Sequence, residues 1–486
     1  MAEGDDLRQQ RVAKLESLRA VGIDPYPRRY ERTHMAAEAV GQFEQLTGQE
    51  VRVAGRIVGM RILGKATFAH LADASGRIQI YARQDVLGED KYGLFKMLDL
   101  GDFIGATGTM FRTKTGEVTV EVRDYEFLAK SLLPLPEKWH GLVDVEKRYR
   151  QRYLDLIANP STRRVFEIRS GVIDAMRRFL RERGFVEVET PILQPIYGGA
   201  AARPFETYHQ ALDRTLFLRI ATELYLKRLI VGGFEKVFEI GKNFRNEGIS
   251  IKHNPEFTVM ESYEAYADYN DVMAMVEQMI PYIAREVLGT EEITFQGNTI
   301  NLSPPWRRIT VSGAILEATG IDLREYPTQR ALYEKMADLH MKVGPELTRA
   351  KLIDHILSTY IEPELIHPTF VMDFPVEVSP LAKRKPDEPD LVERFEGYIG
   401  GMELANAFSE LNDPIDQRER FVKQLEDRAA GDDEAHVMDE DFIIALEHGM
   451  PPTGGLGIGV DRLVMILADQ YSIREVILFP QLRTKV

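Results

Sequence analysis

The sequence predicts an α+β protein in which a small N-terminal β-barrel precedes a larger domain built on an antiparallel sheet flanked by helices. Short segments with alternating apolar residues crowd into residues 51–130, helical periodicity begins near Val165, and further strand-like segments follow it. The length of 486 residues corresponds to about three domains at roughly 150 residues each. We therefore expect a chain with more than one folding unit.

Composition excludes several classes of protein. The chain is 44% hydrophobic and 28% charged, which is ordinary for a globular protein and excludes wholesale disorder. Cysteine is absent, which excludes disulfides and thiolate metal ligands. No apolar run approaches the roughly eighteen residues of a membrane helix, and no apolar signal region follows the acidic N-terminus. We expect a cytoplasmic protein without a membrane partner.

The net charge of −15 argues against a nucleic-acid partner, because phosphate contacts need Lys and Arg. The acidic residues are unevenly distributed, however. Residues 1–150 carry 23 Lys and Arg against 22 Asp and Glu, and the remaining residues carry 38 Lys and Arg against 54 Asp and Glu. Residues 7–32 are net basic, and their first half is predicted to be helical. Such a stretch is either a solvated face or a contact for phosphates. Its basic residues are Arg8, Arg11, Lys14, Arg19, Arg28, Arg29 and Arg32.

The first group of strands predicts a small closed barrel. Five or so strands in about eighty residues are typical of an OB-fold, a barrel that binds oligonucleotides. The clearest strand patterns cover residues 51–57, 67–71, 77–81 and 118–122.

These patterns divide the chain into four parts. Residues 1–50 form an N-terminal helical extension, residues 51–135 the barrel, and residues 136–160 a linker. Residues 161–486 form the larger domain, in which a helical insertion occupies about 268–365.

The larger domain is predicted to open with a helix and a strand. Apolar residues from Val165 to Leu180 recur at helical spacing, and Gly184 follows as a C-terminal stop. The alternating segment 185–190 then predicts a strand that Pro191 ends. By itself this succession indicates only core structure.

Two further strands, residues 236–240 and 256–263, flank a polar loop that contains Arg245 and His253. A lone His is more often a satisfied polar residue than a metal ligand, and no second His lies at metal-binding spacing. Alternation places four residues on one face of the second strand: Phe257, Val259, Glu261 and Tyr263.

Near the C-terminus, residues 395–410 are predicted to form one strand-like region that carries Glu396, Glu403 and Glu410. The region contains neither Lys nor Arg, so these carboxylates are either exposed or bind something positive.

The glycine-rich segment 454–459 matches neither the dinucleotide-binding nor the Walker phosphate pattern. Taken alone, it predicts a close-packed connection between a strand and a helix. Because Arg462 follows it closely, a functional role of this segment remains an alternative interpretation.

Taken together, three segments resemble the signature motifs of class II aminoacyl-tRNA synthetases. They are residues 184–191, residues 244–247 with Phe257, and residues 455–462. Four further stretches resemble the lysyl-tRNA synthetase family in particular: residues 198–205, 223–227, 244–250 and 408–413. The resemblance covers nearly the whole chain, including the barrel. It implies a class II catalytic domain, a homodimer, and the partners ATP, L-lysine and tRNA(Lys).

The resemblance also implies roles around ATP. Arg245, Glu247 and Arg462 would be catalytic, with Arg245 bridging the lysine carboxylate and the α-phosphate. The remaining nucleotide contacts would be Glu247 and Asn254 on the adenosine, His253 on the outer phosphates, Phe257 and Arg462 on the two faces of adenine, and Glu396 and Glu403 on Mg²⁺.

Lysine carries two ammonium groups, so its pocket should supply carboxylates. The resemblance implies Glu223 for the α-amine, Glu410 with Tyr263 for the ε-amine, and Phe408 on the aliphatic stem. Gly199, Glu261 and Asn406 complete the implied pocket. In the barrel, Phe68 would stack on an anticodon base and Gln79 would read a base edge, with Glu117 a weaker candidate.

Two alternatives remain open at this stage. One is a ligase that lysylates a translation factor, although such relatives lack the barrel. The other is a catalytically inactive paralogue that only binds RNA. Retention of five charged residues whose joint use is ATP and Mg²⁺ argues against the second; they are Arg245, Glu247, Glu396, Glu403 and Arg462.

Overall fold

The computed structural model describes residues 2–136, 142–429 and 436–484. The chain divides into two compact units, Met1–Val143 and Asp144–Val486. Residues 137–141 of the predicted linker lie outside the described residues, and the last part of that predicted linker forms helices of the second unit.

The first unit is a closed barrel with strands in the order β1-β2-β3-β5-β4, which confirms the predicted OB-fold. The strands are β1 (Glu50–Leu63), β2 (Ala66–Ala72), β3 (Arg77–Arg83), β4 (Phe103–Arg112) and β5 (Val118–Ala129). The helices are α1 (Ala2–Ala20), α2 (Ala36–Gly41), α3 (Phe43–Leu46), α4 (Gln84–Leu87) and α5 (Glu89–Phe95).

The sequence pattern did not reveal β4, because glycines replace two of its side chains. A Cβ on Gly105 would overlap the Tyr30 ring, and one on Gly108 would overlap the carbonyl oxygen of Glu121. Close approach of neighbouring groups therefore requires glycine at both positions, and β4 lacks two of the side chains by which an alternating strand is recognised.

The basic stretch near the N-terminus is partly used inside the unit. Arg11 is buried and donates to the carbonyl oxygens of Leu100, Ser131 and Leu133. Lys14 pairs with Asp99 at 2.6 Å. These two cations therefore hold α1 to the barrel.

The second unit is built on a mixed, mainly antiparallel sheet with helices packed against it, as predicted. Its strands are β6 (Val186–Glu187), β7 (Leu193–Gln194), β8 (Glu206–His209), β9 (Arg214–Leu218), β10 (Lys236–Phe244), β11 (Glu256–Ala265), β12 (Glu292–Phe295), β13 (Asn298–Asn301), β14 (Arg307–Thr310), β15 (Thr369–Pro375), β16 (Leu391–Ile399), β17 (Met402–Ser409) and β18 (Thr453–Gly459). The large sheet runs β14-β15-β16-β17-β18-β11-β10-β6; β12-β13 and β7-β9-β8 form smaller sheets.

The helices of the second unit cover the sheet and close its ends. They are α6 (Val145–Arg150), α7 (Arg152–Ala158), α8 (Pro160–Glu182), α9 (Glu223–Val231), α10 (Tyr269–Leu288), α11 (Val311–Thr319), α12 (Gln329–Asp338), α13 (Arg349–Ile356), α14 (Pro414–Ala429), α15 (Glu440–Glu447), α16 (Val460–Leu467) and α17 (Ile473–Val476). Short 3₁₀ and π turns occupy Gln210–Leu212, Leu357–Ile361, Glu362–Glu364 and Val376–Val378. In the described parts of the chain, no helix is both long and apolar enough to cross a membrane.

The main core lies between the sheet and helices α8, α10 and α16. The apolar stripe predicted on α8 is buried there. In β18, Leu456 and Ile458 belong to this core, whereas the alternating residues Gly455, Gly457 and Gly459 have no side chain. The sheet therefore has room on its other face, where a cavity lies.

Two predicted elements differ from the structure. The strand predicted at 185–190 shortens to Val186–Glu187, because the Thr190 amide and hydroxyl donate to the Glu239 carboxylate instead of to a strand. The region 395–410 is a hairpin of β16 and β17, not one strand. Its turn is Gly400–Gly401, where both φ angles are positive.

Segment 268–365, predicted to be a helical insertion, has mixed structure. It begins with α10, whose Met279 and Ile283 are fully buried in the main core. It also contains β12, β13 and β14, and β14 pairs in parallel with β15 at the edge of the large sheet.

Candidate active site

One cavity of about 480 Å³ lies over the centre of the large sheet. It brings together every residue that the sequence analysis placed around ATP, Mg²⁺ or lysine. They are Gly199, Glu223, Arg245, Glu247, His253, Asn254, Phe257, Glu261, Tyr263, Glu396, Glu403, Asn406, Phe408, Glu410 and Arg462. Segments separated by more than 200 residues in sequence therefore form one site.

Arg245 stands at the end of β10, where the chain enters the loop to β11. Its Cζ lies 5.1 Å from the centroid of the Phe257 ring, and its buried Nε has no hydrogen-bond partner. Burial lowers the pKa of Arg245, and the charge of Glu247 opposes that effect. A desolvated guanidinium with a free donor is suited to binding an anionic ligand.

Arg462 occupies the first turn of α16, directly after the glycine-rich strand. It donates to the backbone oxygen of Glu403 at 2.7 Å and to its Oε2 at 3.1 Å. His253 Nε2 lies 3.4 Å from Arg462 Nη2. Burial, and then the charge of Arg462, lower the pKa of His253, so its imidazole is neutral at pH 7.

The hairpin β16–β17 carries Glu396 and Glu403, and both carboxylates pair with arginines of the protein. Glu396 accepts hydrogen bonds from Arg394 and from the Tyr398 hydroxyl, both at 2.5 Å. Burial raises the pKa of Glu396 to about 7, opposed by Arg394 and reinforced by Glu403. The sequence argument had found no cation within 395–410; Arg394 lies just outside that range.

The other end of the cavity is enclosed by carboxylates. Glu223, Glu261 and Glu410 are each less than 9% exposed. Glu261 Oε1 accepts from the Thr222 amide at 3.2 Å, and the Tyr263 hydroxyl donates to Glu261 Oε2 at 3.4 Å. Burial raises the pKa values of Glu261 and Glu410, and neighbouring carboxylates add to the effect.

Small residues make room at this end. A Cβ on Gly455 would overlap Glu410 Oε1 and lie 2.7 Å from Tyr263 Cε1. Gly199 has a φ of +86°, and a Cβ there would lie 3.1 Å from Glu223 Cβ. The β11–β18 register sets Gly455 opposite Tyr263.

Sequence reasoning missed three members of the site: Gly455 as a pocket residue, Arg394, and the buried Lys227. Gly455 could have been found from the alternation of glycines in β18, which places them on one face of the strand. Arg394 precedes Glu396 by two residues, and Lys227 follows Glu223 by four, a spacing at which helical side chains meet.

The barrel residues predicted to bind RNA share one face of β2 and β3, because Phe68 pairs with Tyr81 and His70 with Gln79. Phe68 stacks on Tyr81 with ring centroids 4.3 Å apart. Gln79 Nε2 donates to Glu117 Oε2 at 2.7 Å, which brings the third predicted residue to the same place.

Comparison with known proteins gives matches along the whole chain. Residues 144–483 match the family model described as class II tRNA synthetases (D, K and N). Residues 51–128 match the model of the OB-fold nucleic acid binding domain.

Curated relatives match over nearly their full length. A protein of Carboxydothermus hydrogenoformans is 59% identical over 99% of both chains. One from Moorella thermoacetica is 56% identical over 99% of this chain and 98% of its own. One from Roseiflexus sp. is 57% identical over 99% of this chain and all of its own. Each of these relatives is named lysine–tRNA ligase.

Proposed function

Because the chain belongs to the class II tRNA synthetases of the D, K and N group, we propose that it is a lysine–tRNA ligase whose second unit carries the active site. It joins L-lysine to AMP with release of pyrophosphate and then transfers lysine to the 3′ end of tRNA. Within this group, the amino acid that enters the cavity is inferred from the residues that line it.

The observation that carries the proposal is the set of buried carboxylates, Glu223, Glu261 and Glu410, at one end of the cavity that holds Arg245. Buried carboxylates are costly without a cationic partner. Lysine supplies two ammonium groups, whereas the side chains of aspartate and asparagine supply none. The cavity therefore favours lysine over the other two amino acids of the group.

In the first step, a lysine carboxylate oxygen bonds to the α-phosphorus of ATP, and the bond from that phosphorus to the bridging oxygen breaks as pyrophosphate leaves. Arg245 holds the two anions together, and its planar group and free Nε support this role. Charge that develops on the phosphoryl oxygens is stabilised by the same guanidinium.

The adenosine lies between Phe257 and Arg462, with Glu247 and Asn254 beside it. Asn254 is buried and its Oδ1 has no hydrogen-bond partner, which leaves an acceptor for the nucleotide. His253 reaches the outer phosphates and donates a hydrogen bond to them. Without the nucleotide, burial and the charge of Arg462 lower the pKa of His253.

Glu396 and Glu403 fit the Mg²⁺ that this family uses with ATP. Mg²⁺ prefers carboxylate oxygens and binds through one or two of them plus substrate phosphates. In the described residues, no cluster of three or more acidic or His ligands forms a complete cage. Burial, and to a smaller extent the charge of Glu403, raise the pKa of Glu396, so a cation bound between the two would favour its ionised form. When bound, the ion neutralises phosphate charge.

In the second step, the terminal tRNA hydroxyl attacks the lysyl carbonyl and AMP leaves. Phe68 and Gln79 bind the anticodon, with Glu117 beside them. We further propose a homodimer that works in the cytoplasm.

Exchange of labelled pyrophosphate into ATP, measured with each of the twenty amino acids and without tRNA, tests this proposal. We expect exchange with lysine. Exchange with aspartate or asparagine alone would overturn the lysine assignment. An enzyme that exchanges with lysine but charges only a protein acceptor would instead be a protein lysylase, and tRNA binding without any exchange would indicate an inactive paralogue.

A further inference from the structure

A lysine of the protein itself lies between two of the carboxylates assigned to the substrate. Lys227 follows Glu223 by one turn of α9, and its side chain is fully buried. Its Nζ lies 2.6 Å from Glu223 Oε1 and forms an ion pair with Glu410 Oε2. The Phe442 ring, 5.9 Å from Nζ, contributes to its cover.

Each of these glutamates has a second oxygen that Lys227 does not occupy. Glu410 Oε1 is buried, has no hydrogen-bond partner and lies against Gly455. Glu223 Oε2 lies 3.7 Å from the position of a Cβ on Gly199, another glycine of the pocket. Lys227 thus fixes one oxygen of each carboxylate and leaves the other for a ligand.

Lys227 also sets the charge of the pocket. Its ammonium is a positive charge of the protein placed among three buried carboxyl groups, Glu223, Glu261 and Glu410. Arg245 adds a positive charge on the side of Glu261. Tyr263 and His436, which also face the carboxyl groups, are neutral, because burial raises the pKa of Tyr263 and lowers that of His436 to about 4.

We propose that Lys227 is a positioning residue for amino-acid recognition: it orients Glu223 and Glu410, and its charge favours the ionised carboxylates that bind the ammonium groups of lysine. This inference rests on the proposed function. Without Lys227, buried like charges would favour protonation of one carboxyl, and the protonated group would no longer bind an ammonium.

The test is the pH dependence of lysine-dependent pyrophosphate exchange in Lys227→Met. Glu410 must be ionised to bind an ammonium, so kcat/KM for lysine rises as pH passes through its pKa. Loss of the cation that lowers this pKa should move the inflection upward by about one pH unit and raise the lysine KM at pH 7 about tenfold. The KM for ATP should remain within about threefold.

Lys130→Met is the matched control, because Lys130 is an equally buried lysine that pairs with Asp99 and Asp102 in the other unit. It should lower stability but leave the lysine pH profile unchanged. If Lys227→Met does not fold, the double variant Glu223→Gln/Lys227→Met removes one carboxyl group together with the ammonium and so avoids the extra buried negative charge. Its pH inflection, compared with that of Glu223→Gln alone, should show the same upward shift.

An unchanged inflection in either Lys227 variant, or the same shift in Lys130→Met, overturns the inference. If the unmodified protein shows no lysine-dependent exchange at all, the proposed function fails first.

Discussion

Individual glycines decide how much space the amino-acid pocket offers. Gly455 and Gly457 both lie in β18 and both face the cavity, but their surroundings differ. A Cβ on Gly455 would overlap Glu410 Oε1, whereas one on Gly457 would meet its nearest neighbour at 3.8 Å. The same substitution at the two positions therefore separates crowding of the acidic end from a general change in the strand.

Gly455→Ala should raise the lysine KM at least about tenfold, because Glu410 or Tyr263 must move to admit the methyl group. Gly457→Ala should change it much less. Steady-state exchange kinetics with lysine and ATP varied in turn measure both effects. Equal losses in the two variants, or a larger effect on ATP than on lysine, would contradict this account of the pocket.

Arg245 gives a second prediction at this scale. Arg245→Lys keeps the charge but loses the planar group that can hold two anions at once. We expect kcat to fall about 10²–10³-fold, as on removal of a donor that stabilises developing charge. Single-turnover formation of the adenylate measures this effect, and circular dichroism checks the fold. A wild-type rate in Arg245→Lys would mean that only its charge matters.

Residue types and spacings selected charged residues that the fold brings into one cavity, because a motif fixes which chemistry each position supports. They did not predict Lys227 or Arg394. Lys227 is buried and pairs with Glu410 from another element, and Arg394 bonds both to Glu396 on its own strand and to Asn406 across the hairpin. The sequence shows a lysine four residues after Glu223. It does not show that Lys227 also pairs with Glu410, 187 residues after Glu223.

At the scale of elements, Asp461 joins α8, β11 and α16 beneath the site. Its carboxylate pairs with Arg169 at 2.5 Å and accepts the Thr258 amide at 2.6 Å. Arg169 also donates to the Thr258 hydroxyl at 2.9 Å. Helix α8 is thus tied to the strand that carries the pocket and to the helix that carries Arg462.

Asp461→Ala should therefore destabilise the second unit by about 3–5 kcal/mol, because it leaves Arg169 and a buried amide without their partner. Glu334→Ala is the control: its pair with Arg330 is highly exposed, so the loss should be below about 1 kcal/mol. Urea unfolding followed by a signal from the second unit measures the difference. A similar small loss in both variants would show that the buried link contributes no more than a surface pair.

Element prediction succeeded where periodicity reflects burial and failed where close approach or turns dominate. The stripe of α8 and the pair β10–β11 follow the predicted patterns. The pattern missed β4 because Gly105 and Gly108 admit neighbouring groups. It also merged β16 and β17, since two consecutive glycines inside a strand-like run were not recognised as a turn.

At the scale of the whole molecule, the residues predicted to bind small substrates and those predicted to bind RNA lie in different units. The residues assigned to lysine and ATP all belong to Asp144–Val486, and those assigned to the anticodon all belong to Met1–Val143. Each unit has its own hydrophobic core. Chemistry on small substrates should therefore be separable from recognition of RNA.

Phe68→Ala tests that separation. Loss of base stacking costs about 1–3 kcal/mol per base, so the KM for tRNA in aminoacylation should rise from about fivefold to more than a hundredfold. Lysine-dependent exchange without tRNA should be unchanged, because Phe68 stacks on Tyr81 of the barrel and the residues assigned to lysine and ATP belong to the other unit. Leu100→Ala, which removes an exposed apolar side chain of the same unit, should alter neither reaction. A parallel loss of exchange and aminoacylation in Phe68→Ala would show instead that the barrel supports the catalytic unit, and an unchanged tRNA KM would remove Phe68 from the anticodon site.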